Sequence, residues 1–398
     1  MNKIISNALG AVKLLIAFFL LKTVYRNIYN MNYWLICEKP SEARDNGYHF
    51  YKFIRENHPE INIYYVIASN SSDLHKVDCY QNVIFYNSFK HYIYYLASRV
   101  CLSSQSLPYP CSRRLCEIFS FLKRKNTKTV WLQHGITKDK LSHKDMDYSI
   151  FKYDLLSCSA ERESKFIQNE YGYSAEQAKV VGMCRYDNLL PMETENIILV
   201  MPTFRSNLVA SNQSKKASLQ EKKQFMKSSF YKTYISLLSS PKLIQFLKKN
   251  NYKIIFYPHY ALQSYIETFF GVANDCVVVA DSMHYDVQKL LLQSKLLITD
   301  YSSVFFDFAY MKKPELFYQF DKSEYRAIHY KQGYFDYQTD AFGKVVFNLD
   351  EVTEEIVNLF QNNFVLPKKY KERSNSFFAF NDLKNCERTY NAVMALVR

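Results

Sequence analysis

Glycine and tryptophan are scarce in this chain, with eight and two among 398 residues. No G-x-G-x-x-G loop occurs, which disfavours a dinucleotide cofactor. With so few glycines, each is a candidate for a forced backbone position, and Gly47, Gly135, Gly182, Gly333 and Gly343 lie in or near the segments discussed below. The nine cysteines form no C-x-x-C pair and no Cys/His zinc spacing. Cys111 and Cys116 are the closest pair and have no second pair nearby, so neither a disulfide framework nor a zinc site is implied, and the compartment reads as reducing. An RNP box, a zinc finger and an acidic cluster with metal-ligand spacing are all missing, which argues against a nucleic-acid partner and a tightly held metal. No small-residue cleavage site follows Leu21, so the N-terminus does not read as a signal peptide.

The composition itself, 48% apolar over 398 residues, is that of a folded protein of two domains. A net charge of +13 calls for an anionic partner. Basic residues gather at Arg113, Arg114, Lys123, Arg124, Lys125 and Lys128, at Lys215 to Lys227, and at Lys368 to Arg373. With nucleic acid set aside, an anionic membrane surface and an anionic substrate remain. The segment Ile4 to Leu21 is the most apolar in the chain and is followed by Lys22 and Arg26. Its polar interruptions make it marginal as a spanning helix. The recurrence of Ile4, Ile5, Leu9, Val12, Leu15 and Phe19 near helical spacing predicts an in-plane anchor, with a buried first helix as the alternative.

From Tyr33 onward strands alternate with helices. Strands are predicted at Tyr33 to Cys37, Ile61 to Ala68, Val83 to Tyr86, Arg99 to Leu102, Thr129 to Leu132, Leu155 to Cys158 and Val180 to Met183. The loop after the first strand carries Asp45 and Asn46, which can bind an acceptor or make an Asx turn against Gly47. After the Thr129 to Leu132 strand come Gln133, His134 and Gly135, a histidine at a strand end where a general base is well placed. Lys138 and Lys140 follow and can hold an anionic acceptor or simply face solvent. Arg185 and Asp187 sit in the loop that ends the first domain. The second domain opens with Asn196 to Met201 and reaches Arg205, whose forked guanidinium suits a phosphate. Residues 206–229 show no apolar period and read as a mobile excursion. A helix is predicted from Tyr231 to Asn250, then a strand from Lys253 to Tyr257 ending at Pro258 and His259, and another at Cys276 to Ala280.

The stretch Leu296 to Asp321, LLITDYSSVFFDFAYMKKPELFYQFD, reads as strand, helix, strand. Its turn, Asp300 to Ser303, consists of helix-capping residue types. The hydroxyls of Ser302 and Ser303 can merely cap the helix, or can join its free N–H groups in binding a phosphate or diphosphate.

The wording of this stretch resembles the C-terminal signature of the CDP-glycerol glycerophosphotransferase family, the teichoic-acid primases and polymerases. Trp34 to Ile67, WLQHGITK (Trp131 to Lys138), VGMCRYD (Val181 to Asp187), MPTFR (Met201 to Arg205), YPHY (Tyr257 to Tyr260) and GYFDY (Gly333 to Tyr337) look like family landmarks in the same order. Two departures stand out: Cys184 occupies a place where the family usually has proline, and Pro258-His259 reads in the reverse order of many relatives.

The combined expectation is an α/β protein of two Rossmann-like domains facing across a cleft, the GT-B arrangement. A membrane-associating helix would occupy residues 1–30, an acceptor domain 31–190 and a CDP-alditol domain 191–398. The resemblance implies His134 as the base, with Gly135 beside it, and His259 stabilising charge on the transferring phosphoryl group or its leaving group. Thr299, Asp300, Ser302, Ser303 and Asp321 would surround the donor diphosphate with Arg205 as clamp, and Asp45, Asn46 and Arg185 would meet the acceptor. The reaction would move an alditol phosphate, glycerol phosphate first among them, from a CDP-alditol to a hydroxyl of a lipid-linked or growing polyanionic or glycan polymer, releasing CMP. No cofactor is required, and a loosely bound divalent ion is left open. The expected place is the cytoplasmic face of the membrane, in teichoic-acid or capsule-type synthesis. Two alternatives share the fold: a glycosyltransferase using a nucleotide sugar, and a non-catalytic relative on the membrane surface.

Overall fold

The computed structural model describes residues 3–189, 192–209 and 217–398, and the chain divides into two units. The first comprises residues 1–136, 142–188 and 379–398, the second 137–141 and 189–378.

The first unit is built on seven parallel strands: β1 (Trp34–Cys37), β2 (Ile63–Ile67), β3 (Val83–Phe85), β4 (Val100–Ser103), β5 (Lys128–Trp131), β6 (Leu155–Cys158) and β7 (Ala178–Val180). Their order is β3-β2-β1-β4-β5-β6-β7. β1, β4 and β6 are buried at every residue, as a sheet covered by helices on both faces requires. The order reverses between β1 and β4, and in open α/β sheets the crevice beyond the carboxyl ends of such a pair is where ligands bind. The helix Asn46–Asn57 follows β1 and buries Phe50, Tyr51 and Ile54 on the sheet. On the opposite face the helix Phe89–Ala97 packs with the N-terminal helix Lys3–Lys22, whose Leu14, Ala17 and Leu21 form one buried stripe.

The second unit has six parallel strands: β8 (Ile197–Val200), β9 (Lys253–Phe256), β10 (Val277–Val279), β11 (Leu296–Thr299), β12 (Glu315–Tyr318) and β13 (Lys344–Val346). The order β10-β9-β8-β11-β12-β13 places its reversal between β8 and β11. The turn Asp300 to Ser303 therefore leaves the sheet at the reversal point.

Several local expectations change. The helix read from Tyr231 to Asn250 is two helices, Ser229–Leu238 and Pro241–Asn250, because Ser240 caps and Pro241 starts the second. Of the excursion read at 206–229, residues 210–216 lie outside the described residues, and Leu219–Lys227 is a helix opened by a Ser218/Glu221 capping box. β7 ends at Val180, short of the expected Met183, and Gly182 follows with φ of +85°. The three-residue β13 was not anticipated.

Residues 379–398, read from the sequence with the second domain, belong to the first unit. The helix Asn385–Val397 buries Cys386, Ala392 and Val393 in that unit's core. Its first turn is held by one carboxylate: Asp187 accepts from Asn385 N (2.9 Å), Asn385 Nδ2 (2.7 Å) and Cys386 N (2.7 Å). A Cβ on Gly182 would lie 1.9 Å from Asn385 Oδ1, so glycine is required for this approach. Asp187→Ala leaves these donors buried without an acceptor and is expected to cost about 2–3 kcal/mol, read as a lower urea midpoint at unchanged m-value.

Candidate active site

In the first unit, four residues singled out from the sequence come together at the carboxyl end of β5. The Asn46 carboxamide donates to the carbonyls of Gln133 (2.7 Å) and Leu132 (3.3 Å), and its oxygen accepts Arg185 N at 2.9 Å. Arg185 Nη1 in turn donates to Asp45 Oδ1 (3.0 Å) and to the His134 carbonyl (3.1 Å). Gln133 adopts φ of +54°, a left-handed conformation costly for a side chain with a Cβ. Its Nε2 is anchored on Ser157 O and on Glu163 Oε1 at 3.0 Å. The backbone on either side of His134 is thus fixed by side chains from three other segments.

This changes two expectations. Asn46 is fully buried and engaged with protein carbonyls, so it positions the loop and does not meet an acceptor. Asp45 caps the helix Asn46–Asn57 by accepting Asn46 N, which is the Asx-turn alternative. The N-terminus of that helix is filled by Glu38, which accepts from Arg44 N (2.9 Å), Asp45 N (2.9 Å) and Tyr48 N (2.8 Å). Burial and the neighbouring Asp45 push the Glu38 carboxyl upward while these three N–H bonds pull it back.

His134 is exposed, with the half-buried Gly135 beside it. The protein mass around the ring, then the charges of Arg185 and Lys39, lower its pKa to about 4, while a hydrogen bond to the Ser104 backbone opposes them. Donation from one ring nitrogen to the Ser104 carbonyl leaves the other with its lone pair. Ser104 directly follows β4, so the imidazole reaches the sheet's reversal point.

In the second unit the reversal point is built around Arg205. Its Nε and Nη2 donate to Asp321 at 2.7 and 3.0 Å, its Nη2 lies 2.9 Å from Asp300, and its Nη1 donates to the Thr203 carbonyl at 2.7 Å. Burial works against the guanidinium charge, and Asp300 and Asp321 outweigh it. At 2% exposure, Arg205 is committed to two carboxylates and is not the free phosphate clamp read from the sequence. Asp300 also accepts Thr203 N and Tyr301 N, and Thr299 Oγ1 donates to Met201 O at 2.7 Å. Thr299, Asp300 and Asp321 are buried and shape the turn from within.

The short helix after the turn spans Phe305–Tyr310, starting later than the expected Ser302. Val304 is its N-cap, without a side-chain capping bond, so the two serines do not cap it. Ser302 Oγ reaches only Val304 N, at 3.5 Å, and both serines are half-buried at the reversal point. His259 follows β9, half-buried, with Nδ1 accepting Ala261 N at 3.2 Å. Phe204 lies between His259 (4.8 Å) and His329 (4.6 Å), measured between ring centres. Burial, then the charge of Arg205, lowers the His329 pKa to about 4.

Residues 137–141, two positions beyond Gly135, belong to the second unit. Lys140 bridges to Lys331, and Asp139 accepts Arg326 Nη1 at 2.6 Å. The Lys138 ammonium is buried against Asp139, so it is not the acceptor contact the sequence suggested. Arg326 also lies over Tyr301 and Tyr325, whose rings stack at 3.7 Å. Gln133, Glu163, Asp139 and His329 were not singled out for the site from the sequence. The only local clue to them was their nearness to the quoted motifs.

Two parallel-sheet α/β units with their reversal points at the candidate residues define a protein of the GT-B fold class. The chain belongs to the CDP-glycerol:poly(glycerophosphate) glycerophosphotransferase family, whose sequence model matches residues 19–395. It is 34% identical over 368 residues to the minor teichoic acid biosynthesis protein GgaB of Bacillus subtilis (strain 168), covering 91% of this chain and 40% of GgaB. It is 28% identical to the teichoic acid poly(glycerol phosphate) polymerase of the same organism, covering 58% of this chain and 28% of that protein. The chain thus spans well under half the length of these two relatives. Among solved structures, the wall teichoic acid polymerase TagF shares the fold, with a TM-score of 0.65, 16% identity and coverage of 100% of this chain and 98% of the other.

The buried Arg205 arrangement carries a stability prediction. Arg205→Ala leaves two carboxylates buried without their cation and is expected to destabilise the protein by about 3–5 kcal/mol. Thermal unfolding checks this, and an unchanged melting temperature would return Arg205 to the role of a ligand clamp.

Proposed function

We propose that this chain transfers an alditol phosphate, glycerol phosphate in the first instance, from a CDP-alditol to a hydroxyl of a growing, lipid-linked cell-surface polymer. Family membership supports the reaction class, and the held backbone and the pKa of His134, lowered by burial and then by Arg185 and Lys39, are the observation that carries the residue assignment. An imidazole that is neutral near pH 7 with one nitrogen occupied by a carbonyl is prepared to accept a proton on the other. In this reading His134 takes the proton of the acceptor hydroxyl as its oxygen attacks the alditol-side phosphorus. The bond to the CMP oxygen breaks, CMP leaves, and a phosphodiester remains. Ser302 and Ser303 hold the diphosphate, and His259 steadies charge on the phosphoryl oxygens or on CMP. Arg185 acts through His134 as a positioning residue, and no resident cofactor is needed. A divalent ion carried in by the diphosphate is compatible with this scheme.

The helix Lys3–Lys22 supports a seat at the cytoplasmic membrane face. It is long and apolar enough to cross a membrane, yet Leu14, Ala17 and Leu21 bind it to the first unit. Ile5, Leu9, Val12, Ile16 and Phe19 form a second, exposed stripe, with Phe19 at 66% exposure. A helix with one stripe in the protein and one outside suits the membrane plane. Double substitution Ile16→Glu/Phe19→Glu is expected to reduce co-sedimentation with anionic vesicles by about tenfold or more. Unchanged sedimentation would remove this helix as the anchor.

The reaction is tested by CMP release from CDP-glycerol and CDP-ribitol, with a UDP-sugar control, using membranes or a synthetic lipid-linked acceptor. Release from one CDP-alditol that falls by about 10²–10⁴ in His134→Ala is the expected result. UDP release in place of CMP would reassign the chain to glycosyl transfer. Because the pKa of His134 is lowered, its acid limb in kcat/KM belongs below the ordinary imidazole value of about 6.5. Arg185→Met removes a cation and is expected to move that limb upward; an unmoved limb would mean that Arg185 does not tune His134.

A further inference from the structure

All nine cysteines are free thiols, and the sulfurs of Cys111 and Cys116 lie 3.5 Å apart in the first unit. A disulfide needs about 2.0 Å, so a small side-chain adjustment separates the pair from a bond. The short helix Arg113–Ile118 explains why they meet. Ser112 is its N-cap, which puts Cys111 just before the cap and Cys116 at the fourth helical position. Two apolar side chains at those positions clasp the start of a helix, and aliphatic residues would serve that purpose as well as thiols.

The surroundings of Cys111 go beyond what an apolar clasp requires. The Tyr92 hydroxyl and the Lys13 ammonium lie beside its sulfur, with Lys13 5.4 Å from the Tyr92 ring centre and Tyr86 as a further titratable neighbour. A hydrogen bond from Cys116 lowers the pKa of the Cys111 thiol; burial opposes it, and Tyr92 and Lys13 add to it. The same hydrogen bond, then burial, push Cys116 up, with Tyr95 and Lys123 near it. Cys111 is half-buried and Cys116 is 2% exposed, so the more acidic thiol is also the one nearer solvent. Cys184 and Cys386 also interact, yet both are buried in the core. The N-terminal helix Lys3–Lys22 rests on the Cys111 turn. A Cβ on its buried Gly10 would lie 3.0 Å from Leu115 Cδ2, 3.2 Å from Cys111 Cβ and 3.5 Å from the Cys111 sulfur, and Ser112 Oγ donates to Asn7 Oδ1 at 3.1 Å.

We propose that Cys111 and Cys116 are a reversible oxidation site, closed to an intramolecular disulfide by hydrogen peroxide, and that the bond changes how the helix Lys3–Lys22 is held. The Cys111 thiolate attacks one peroxide oxygen and the O–O bond breaks. The hydroxide that leaves takes up the proton given up by Cys111, which yields water and a sulfenic acid on Cys111. The Cys116 sulfur then attacks the Cys111 sulfur, the S–O bond breaks, and the departing hydroxide leaves as water with the Cys116 proton. Two thiols are thereby oxidised and one peroxide is reduced to two waters. A small thiol reverses the bond by exchange. The sulfur that moves on closure is the one beside Gly10, which links the bond to the helix. The site is read from its own residues and does not depend on the transfer reaction proposed above.

The test treats the full, reduced chain with hydrogen peroxide, blocks the remaining thiols with N-ethylmaleimide and digests with trypsin, which cuts after Arg113 and Arg114, between the two cysteines. The expected product is a linked peptide pair, lighter by two hydrogens than its separate members and returned to them by dithiothreitol. It forms while the exposed Cys79 still takes the label. Cys116→Ser, a near-isosteric change, is expected to halt at the sulfenic acid, so that dimedone labels Cys111. Cys111→Ser is expected to lose dimedone labelling at this turn altogether. Amide hydrogen exchange of residues 7–13 is expected to differ about threefold or more between the oxidised and reduced chains. The proposal is overturned by the absence of a linked pair, by its forming only once Cys79 is consumed, by dimedone labelling of Cys116 in place of Cys111, or by exchange that is the same in both states. CMP release enters none of these measurements, so this idea and the proposed reaction fail separately.

Discussion

A single guanidinium between two buried carboxylates decides the form of the ligand end of the second unit. Arg205 reaches Asp300 at the end of β11 and Asp321 just after β12, and also holds the carbonyl of Thr203 beyond β8. Three neighbouring strand ends are therefore tied to one side chain. Taking these charges out of water is expensive, and the arrangement persists because the guanidinium forks onto Asp321, pairs with Asp300 and donates to the Thr203 carbonyl. Asp300 completes the scheme by accepting Thr203 N and Tyr301 N. The consequence is a turn whose carboxylates point inward, with the half-buried Ser302 and Ser303 as the hydroxyls nearer its surface.

The first unit reaches a similar end by other means. Its candidate base is held by neutral amides and carbonyls, with Asn46 and Gln133 satisfying the backbone and Arg185 donating to the His134 carbonyl. A buried carboxylate beside His134 would have raised its pKa; burial, then the charges of Arg185 and Lys39, lower it. Glu38, which shares the neighbouring helix terminus with Asp45, is spent on three backbone N–H groups. The terminus that would otherwise attract an anion is thereby closed, and the electrostatics near His134 remain those of a base.

Most of the architecture was legible in the chain because buried parallel strands have a plain signature. LLIT, LLSC and WLIC are short apolar runs followed by polar turns, and each is a strand buried at every residue. The roles of site residues were less legible, and the reason is distance along the chain. Arg205 in its own motif is an arginine beside a proline turn; its partner Asp321 stands 116 positions later. Asn46 sits next to a glycine, as a turn residue would, and the carbonyls that claim it are 86 and 87 positions away. Local pattern identifies which residues are chemically capable, and only the fold says whether that capacity has already been used. The helix Leu219–Lys227 is a different case, since the Ser218/Glu221 capping box was present locally while the expected apolar period was not.

The same distinction, between polar groups already satisfied and polar groups left over, sorts the second unit. Arg205, Asp300, Asp321, Lys138 and Asp139 are charged, buried and mutually paired, so they hold shape. Tyr337 and Gln319 are neutral, buried and unsatisfied, so they are a standing cost that the fold retains. Such a cost is small beside the surrounding aromatic packing, in which Tyr337 meets the rings of Phe305, Phe317 and Phe335. A phenylalanine at position 337 would keep that packing and remove the unsatisfied hydroxyl.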